Sequence, residues 1–223
     1  MADAFAALAA ARTSVRGFTT QPVNDELLRE LLATARLAPS GANLQPGSFV
    51  QVRGAVREGL SGALCAAFRD GAAEAEDYSY FPAPLPGHLR RRQVAAARAL
   101  YDSIGTARED RAGRDLQFER NFRFFEAPVA LVVTIERGMG SGCFMDLGMA
   151  LYGLLLAAQS QGLASCAIGA LASYPSLVRS HLGLGPEHQI VCGVALGYPD
   201  LSAPVNRTRT SRLAVDDFFR VLG

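Results

Sequence analysis

The feature that most constrains the fold is a long apolar helix set between two short apolar strands. Residues 146–163, DLGMALYGLLLAAQSQGL, predict a helix that ends at Gly162 and is mostly buried. The runs VALVVTI (129–135) and QIVCGVALG (189–197) predict buried strands on either side of it. The chain is therefore expected to mix helices and strands, with no internal repeat.

Composition sets the protein class. The chain has 223 residues, 49% of them hydrophobic and 19% charged, which is typical of a globular protein with a sizeable core. Its 22 basic and 21 acidic residues give a net charge of +1, too balanced for a protein that binds the nucleic-acid backbone. We find no unbroken apolar run of about 18 to 20 residues and no basic start of a secretory signal. These features predict a cytoplasmic protein with no membrane partner.

The basic residues are all arginine. A chain without lysine has no Walker-type P-loop, Schiff-base lysine or pyridoxal-phosphate lysine. Any anion site must then be built from arginine and backbone amides. The four cysteines and three histidines lack metal-ligand spacing, so no metal site is expected.

The chain is predicted to form one domain, 1–223, with two unusual segments. A helix capped near Asn24 or Asp25 should stop at Pro39, before a strand through Phe49 and Val52. Residues at about 70–125 form an excursion, with a Tyr/Pro-rich loop, three arginines and a helix around 95–104. Residues at about 200–223 form a Pro-rich, arginine-bearing C-terminal arm.

A glycine-rich loop, GMGSG, precedes the apolar helix. Glycine turns at a helix N-terminus bind phosphates in dinucleotide-binding folds. The pattern is not GxGxxG, because its sixth position is Cys143, and no acidic residue follows at the ribose-binding distance. A plain flexible loop is the favoured interpretation.

Three polar clusters are more informative. RTSVR (12–16) and NRTRTSR (206–212) each combine arginines with hydroxyls, which suits a phosphate. Two interpretations are open: surface arginines in solvent-exposed ion pairs, or one anion site formed by both clusters. The turn APSGANLQP (38–46) supplies small and amide side chains that could bond a heteroaromatic edge.

At these residues the sequence resembles the nitroreductase family of flavin-dependent oxidoreductases. The resemblance runs through RTSVRGFTTQPV, APSGANLQP, DLGMALYGLLLAAQSQGLASC and ALGYPDLSAPVNRTRTSR. The middle segment, with YSYFP, RRR, ALYDSIG and NFRFFEAPV, is similar to the branch that includes nitrobenzoate-type reductases. The family implies an α+β fold, with a central mixed, mostly antiparallel sheet flanked by helices. It also implies an intertwined homodimer with an FMN in each of two interface sites.

The resemblance implies four groups of FMN contacts. The first, around the ribityl phosphate and the pyrimidine side of the ring, is Arg12, Thr13, Ser14 and Arg16. The second, which closes on the phosphate, is Arg209 and Arg212, with Arg207 less certain. The third comes from the partner subunit and is Pro39, Ser40, Gly41 and Asn43, with Gln45 nearby. The fourth, beside flavin N5, is the backbone of Gly169 and Ala170.

The implied activity is hydride transfer from NAD(P)H, through flavin N5, to a nitroaromatic or quinone-like acceptor by a ping-pong mechanism, with the chemistry carried by FMN. Two departures are notable: Gly47 stands where the family usually has Trp, and Gly169 where its best-known members are often acidic. Two alternatives stay open. One is an FMN-dependent oxidase or dehydrogenase of a natural-product tailoring pathway, and the other is a flavin-binding protein without turnover.

Overall fold

The fold is built on one four-stranded sheet. The computed structural model describes residues 2–223, with side chains from residue 4 onward, and Met1 lies outside it. The strand order is β1-β2-β4-β3, and all three pairings are antiparallel. An isolated bridge between Ser14 and Ser165 is parallel. Among the described residues, this bridge is the parallel pairing that makes the sheet mixed, as expected. The strands are β1 (Ser48–Val52), β2 (Val129–Glu136), β3 (Ala164–Ile168) and β4 (His188–Gly197).

Eight α-helices surround the sheet in the described part of the chain. The helices are α1 (Ala2–Ala11), α2 (Asp25–Ala35), α3 (Gly54–Arg69), α4 (Gly87–Ser103), α5 (Arg111–Glu119), α6 (Ser141–Ser160), α7 (Pro175–Leu182) and α8 (Val215–Phe218). The predicted cap of α2 is correct, because Asn24 Oδ1 accepts a hydrogen bond from Glu26 N at 2.7 Å. This cap therefore fixes where α2 begins.

Both faces of the sheet are covered, which explains the unbroken apolar run of β2. Alternate β2 residues point to opposite faces. Ala130 and Val132 belong to one core cluster with residues of α3, and Leu131 and Val133 belong to another with residues of α2 and α6. A strand buried on both faces needs apolar residues at every position.

Helix α6 is less buried than its sequence predicts. By length and composition alone it could cross a membrane, with a mean hydropathy of 1.5, but only 28% of that stretch is buried. Leu147 and Leu154 pack into the core, whereas Met145, Met149 and Tyr152 are exposed. The prediction of a mostly buried helix is therefore wrong for the single chain, and α6 keeps an apolar face open.

The excursion also differs from its prediction. Helix α4 spans Gly87–Ser103, so it begins eight residues before the predicted start and includes all three consecutive arginines. The reason is that arginine is a good helix former, and Pro86 stands at the N-cap, where no N–H is needed. None of the α4 residues is buried.

Candidate functional site

The Arg12–Arg16 segment is fixed to the edge of the sheet. Val15 N donates a hydrogen bond to Ser165 O of β3 at 3.1 Å, which orients the flanking side chains. The Arg16 guanidinium lies 5.9 Å from the ring centroid of Phe125, within the range of a cation–π contact. Phe125 is buried and has a φ of +52°, a strained conformation that its packing stabilises.

Asn206 joins this segment to the C-terminal arm. Its Oδ1 accepts hydrogen bonds from Arg16 N at 2.9 Å and Gly17 N at 3.0 Å. Its Nδ2 donates to Gly17 O at 2.7 Å and to Asp200 O at 2.8 Å. All four bonding positions of the amide are thus used. The sequence analysis included Asn206 in the cluster expected to bind a phosphate, but it did not predict that Asn206 would bridge these two segments.

The two arginine clusters meet at one cavity of about 600 Å³. Its lining includes Arg12, Thr13, Ser14 and Arg16 from the first cluster and Thr208, Arg209, Thr210 and Arg212 from the second. Ala96, Ala97 and Leu100 of α4 and Tyr152 of α6 line the same cavity, and Arg207 does not. Of the two interpretations left open by the sequence, the structure favours a single anion site. Among the described residues, no group of His, Cys, Asp or Glu could hold a metal ion.

A hydroxyl pair ties the arm to α4. Ser103 Oγ and Thr208 Oγ1 lie 2.8 Å apart, and Thr208 Oγ1 also bonds to Val205 O at 2.7 Å. The arginines that follow are exposed, and Arg209 and Arg212 donate only to carbonyl or hydroxyl oxygens of the arm itself. The arm is therefore anchored at its start and presents exposed guanidinium groups that, among the described residues, pair with no acidic side chain.

The 39–47 loop is strained and lies apart from this cavity. Ala42, Asn43 and Gln45 all have positive φ, which non-glycine residues rarely adopt and which is common at functional sites. Ser40 Oγ accepts from Gln45 N at 2.9 Å, and the largely buried Asp146 accepts from Gly41 N at 3.0 Å. Asp146, which the sequence did not single out, thus holds the loop against α6.

Pro39, Ser40 and Gln45 line a different cavity, of about 400 Å³, whereas Gly41 and Asn43 line neither. Within one chain, the structure does not bring these five residues to the arginine cavity. The two groups of residues predicted to contact FMN thus lie at separate places on one chain, and both are accessible from outside.

Gly47 is required by this loop. Its φ is +87°, and a Cβ would lie 2.7 Å from Leu147 Cδ1 and 2.8 Å from Thr134 O. We expect Gly47→Ala to lower the free energy of unfolding by about 2 to 3 kcal/mol, from overpacking and backbone strain together. Gly138→Ala is the matched control, because Gly138 has a φ of +90° and open space around it. Urea unfolding checks the pair, and equal losses would show that backbone strain alone accounts for the effect.

Tyr80 occupies the space beside Gly169. A Cβ at Gly169 would lie 3.0 Å from Tyr80 Cε2 and 3.3 Å from its hydroxyl oxygen, so the ring stands where a side chain would be. Gly169 and Ala170 begin the short 3-10 turn that follows β3. Tyr80 is half exposed, and partial desolvation by its neighbours raises the pKa of its hydroxyl, so the group stays protonated at neutral pH. This arrangement places an aromatic hydroxyl beside the backbone predicted to contact flavin N5.

Asp77 anchors the segment that carries Tyr80. Its carboxylate accepts hydrogen bonds from Arg137 at 2.8 Å, from Ile190 N at 3.0 Å and from Arg179. Tyr78 OH donates to Val191 O at 2.7 Å, which fixes the next residue to β4. Burial opposes ionisation of Asp77, but the donors outweigh it and lower the pKa of the carboxyl.

We expect Asp77→Asn to destabilise the protein by about 2 kcal/mol at pH 7, the value of hydrogen bonds to a charged group. Because the folded pKa lies below the ordinary 3.8, this contribution is present above that value and disappears as pH falls through the folded pKa. Urea unfolding at pH 7 and near pH 3 should therefore show the wild type and variant converging in acid. The exposed Asp102→Asn serves as the control. A difference that does not depend on pH would contradict an electrostatic role.

The fold and the cavity define an α+β protein with an arginine-lined cavity that suits an anion such as a phosphate. The nitroreductase family model matches residues 9–198, and the chain belongs to that family. It is 36% identical to a chloronitrobenzene nitroreductase of Comamonas testosteroni, over 93% of this chain and 92% of the relative. It is 35% identical to a 4-nitrobenzoate reductase of Pseudomonas putida, over 100% and 97%.

Solved structures give the same result for the fold. The FMN and NADPH-dependent nitroreductase NfnB from sphigopyxis sp. strain HMH matches with a TM-score of 0.94 and 37% identity, covering 98% of both chains. The comparisons confirm the predicted family, its nitrobenzoate reductase branch, the α+β fold and the oxidoreductase class. That relative depends on FMN and NADPH, which agree with the cofactors predicted for this chain.

Proposed function

We propose that the protein is an FMN-dependent reductase that takes hydride from NAD(P)H and delivers it to a nitroaromatic or quinone-like acceptor. The observation that carries the proposal is the meeting of the two arginine clusters on one cavity, in a chain that belongs to the nitroreductase family. The relatives named as nitroreductases support the acceptor class.

The residues present fit FMN. Four arginines and several hydroxyls line the cavity, and none of its lining residues is acidic, which suits a phosphate dianion. When bound, FMN supplies the hydride acceptor and donor of the reaction. Arg12, Arg209 and Arg212 would bind its phosphate, and Arg16 would favour negative charge on the pyrimidine side of the ring.

The backbone at Gly169 and Ala170 would hold the ring edge, and Tyr80 would cover that position and exclude water from it. We expect the two flat reactants, the nicotinamide and the acceptor, to use this face of the flavin ring in turn. The oxidised nicotinamide would then leave before the acceptor enters, as in a ping-pong mechanism.

The proposed assembly is a homodimer in which the 39–45 loop of one subunit completes the arginine cavity of the other. Two observations support this assembly: the arginine cavity and the 39–45 loop both face outward, and the chain exposes large apolar side chains. These side chains include Met145, Met149 and Tyr152 of α6 and Leu213, Phe218, Phe219, Val221 and Leu222 of the arm. A sedimentation experiment that finds a monomer with stoichiometric FMN would contradict the shared site.

The deciding experiment is anaerobic reduction of the purified yellow protein by NADPH and NADH, followed by a screen of nitrobenzoate, chloronitrobenzene and quinone acceptors. We expect noncovalent FMN with poor binding of FAD, rapid bleaching, and reoxidation by at least one acceptor. No bleaching by either nucleotide would favour an oxidase, a dehydrogenase or a flavin-binding protein without turnover. Recovery of FAD, or of no flavin after reconstitution with FMN, would contradict the cofactor assignment.

A further inference from the structure

A second cavity, of about 750 Å³, lies between α4 and the C-terminal arm. It shares four lining residues with the first cavity: Ala96, Arg209, Thr210 and Arg212. The two cavities are therefore adjacent compartments of one cleft. The second adds His88, Arg91 and Arg92 from the first turns of α4.

The spacing along α4 explains this compartment. His88, Arg92, Ala95 and Ala99 recur at intervals of three or four residues, so they lie on one face of the helix. The two alanines leave open space beneath the arm, and the longer side chains, which include the cationic Arg92, stand at the end nearer the helix N-terminus. The helix dipole adds to the positive potential at that end.

The charge around the cleft is not balanced by the protein. Six arginines line the two cavities, Arg12, Arg16, Arg91, Arg92, Arg209 and Arg212, and no acidic residue lines either. Within residues 4–223, whose side chains are described, none of the six forms an ion pair. One FMN phosphate carries about two negative charges. It would leave roughly four positive charges without a counter-charge, which points to a second anion.

We infer that the second compartment binds a phosphate monoester of the nucleotide reductant, the 2′-phosphate that distinguishes NADPH from NADH. This inference rests on the proposed function, because the reductant is the reactant of that reaction that carries phosphates. A carboxylate on an aromatic acceptor would bring at most one charge and would offset less of that excess than a phosphate monoester does. A phosphate monoester brings nearly two, with three acceptor oxygens for the guanidinium forks of Arg91 and Arg92.

The test uses isothermal titration of the FMN-loaded protein with adenosine 2′,5′-bisphosphate and, separately, with adenosine 5′-monophosphate. The variant is Arg91→Ala/Arg92→Ala, and the matched control is Arg90→Ala. Arg90 lies on the same helix and is equally exposed, but it does not line the compartment. Since all three arginines are exposed, folding should survive, and FMN content with circular dichroism verifies this.

We expect the wild type and Arg90→Ala to prefer the bisphosphate over the monophosphate. The double variant should bind the bisphosphate about tenfold more weakly or worse, with monophosphate affinity unchanged. Equal bisphosphate affinity in the double variant and the wild type, or no preference in the wild type, would overturn the inference. Neither result bears on flavin bleaching, so a failure of the proposed function is detected separately by the anaerobic reduction.

Discussion

Two variants that each fail to hold FMN should recover flavin binding when their subunits are paired in one dimer. The first variant, Arg209→Ala/Arg212→Ala, removes the arginines that would close on the phosphate. The second, Gly41→Gln, places a long side chain on the exposed loop, where the nearest atom to a new Cβ is 3.7 Å away, so the chain itself tolerates it. If each site takes arginines from one subunit and the loop from the other, a heterodimer has one site with both defects and one with none.

Heterodimers isolated through two different affinity tags should thus bind about one FMN per dimer with wild-type affinity. Each homodimer of variants should bind FMN far more weakly. Equilibrium dialysis measures both the affinity and the stoichiometry. A dimer of the arginine variant with itself, carrying both tags, is the control and should stay empty. Heterodimers that remain empty would show that the arginines and the loop of the same chain serve one site.

Single variants separate the arginines of the arm. We expect Arg212→Ala to weaken FMN binding about ten- to a hundredfold, because a charge-assisted hydrogen bond to phosphate contributes about 1.5 to 3 kcal/mol. Arg207→Ala is the matched control, since Arg207 lies on the same arm but lines neither cavity. Bleaching at saturating FMN and saturating NAD(P)H should change little, because the phosphate lies far from N5. A normal FMN affinity with slow bleaching would instead assign Arg212 to the nucleotide or the acceptor.

Local signals in the sequence predicted most of the fold. The apolar strands, the Asn24 cap and the end of α6 follow from residues within a few positions of each other. The start of α4 was predicted too late, because a run of three arginines resembles a solvent-exposed loop although arginine favours helix. The burial of α6 was overestimated, since its periodicity does not show whether its cover lies in the same chain.

The site was predicted less completely, because its key contacts join distant positions. Arginines at both ends of the chain were identifiable as phosphate-binding types, but their meeting depends on Asn206, 190 residues from Arg16. Tyr80 fills the space at Gly169, and its segment is held by Asp77, which pairs with Arg179 of α7 and with Arg137 just after β2. Such contacts leave no periodic signal in one sequence, whereas caps and strands do.

Asn206 does not line the arginine cavity. Among such residues, we expect its replacement by leucine to cause the largest loss of FMN affinity. The leucine has a similar volume but removes all four hydrogen bonds that hold residues 16, 17 and 200 together. At about 0.5 to 1.5 kcal/mol each, we expect a loss of roughly 2 to 6 kcal/mol in the free energy of unfolding.

FMN must then order the Arg12–Arg16 segment against the arm as it binds, and that cost should lower its affinity about tenfold to a hundredfold. Flavin fluorescence titration and urea unfolding of the apoprotein measure the two effects. Asn121→Leu is the control, because the Asn121 side chain donates to the neighbouring Phe118 O and lies outside the cavity. An Asn206→Leu protein that loses stability but keeps its FMN affinity would show that the arginine clusters align without this bridge, and that phosphate binding itself brings them together.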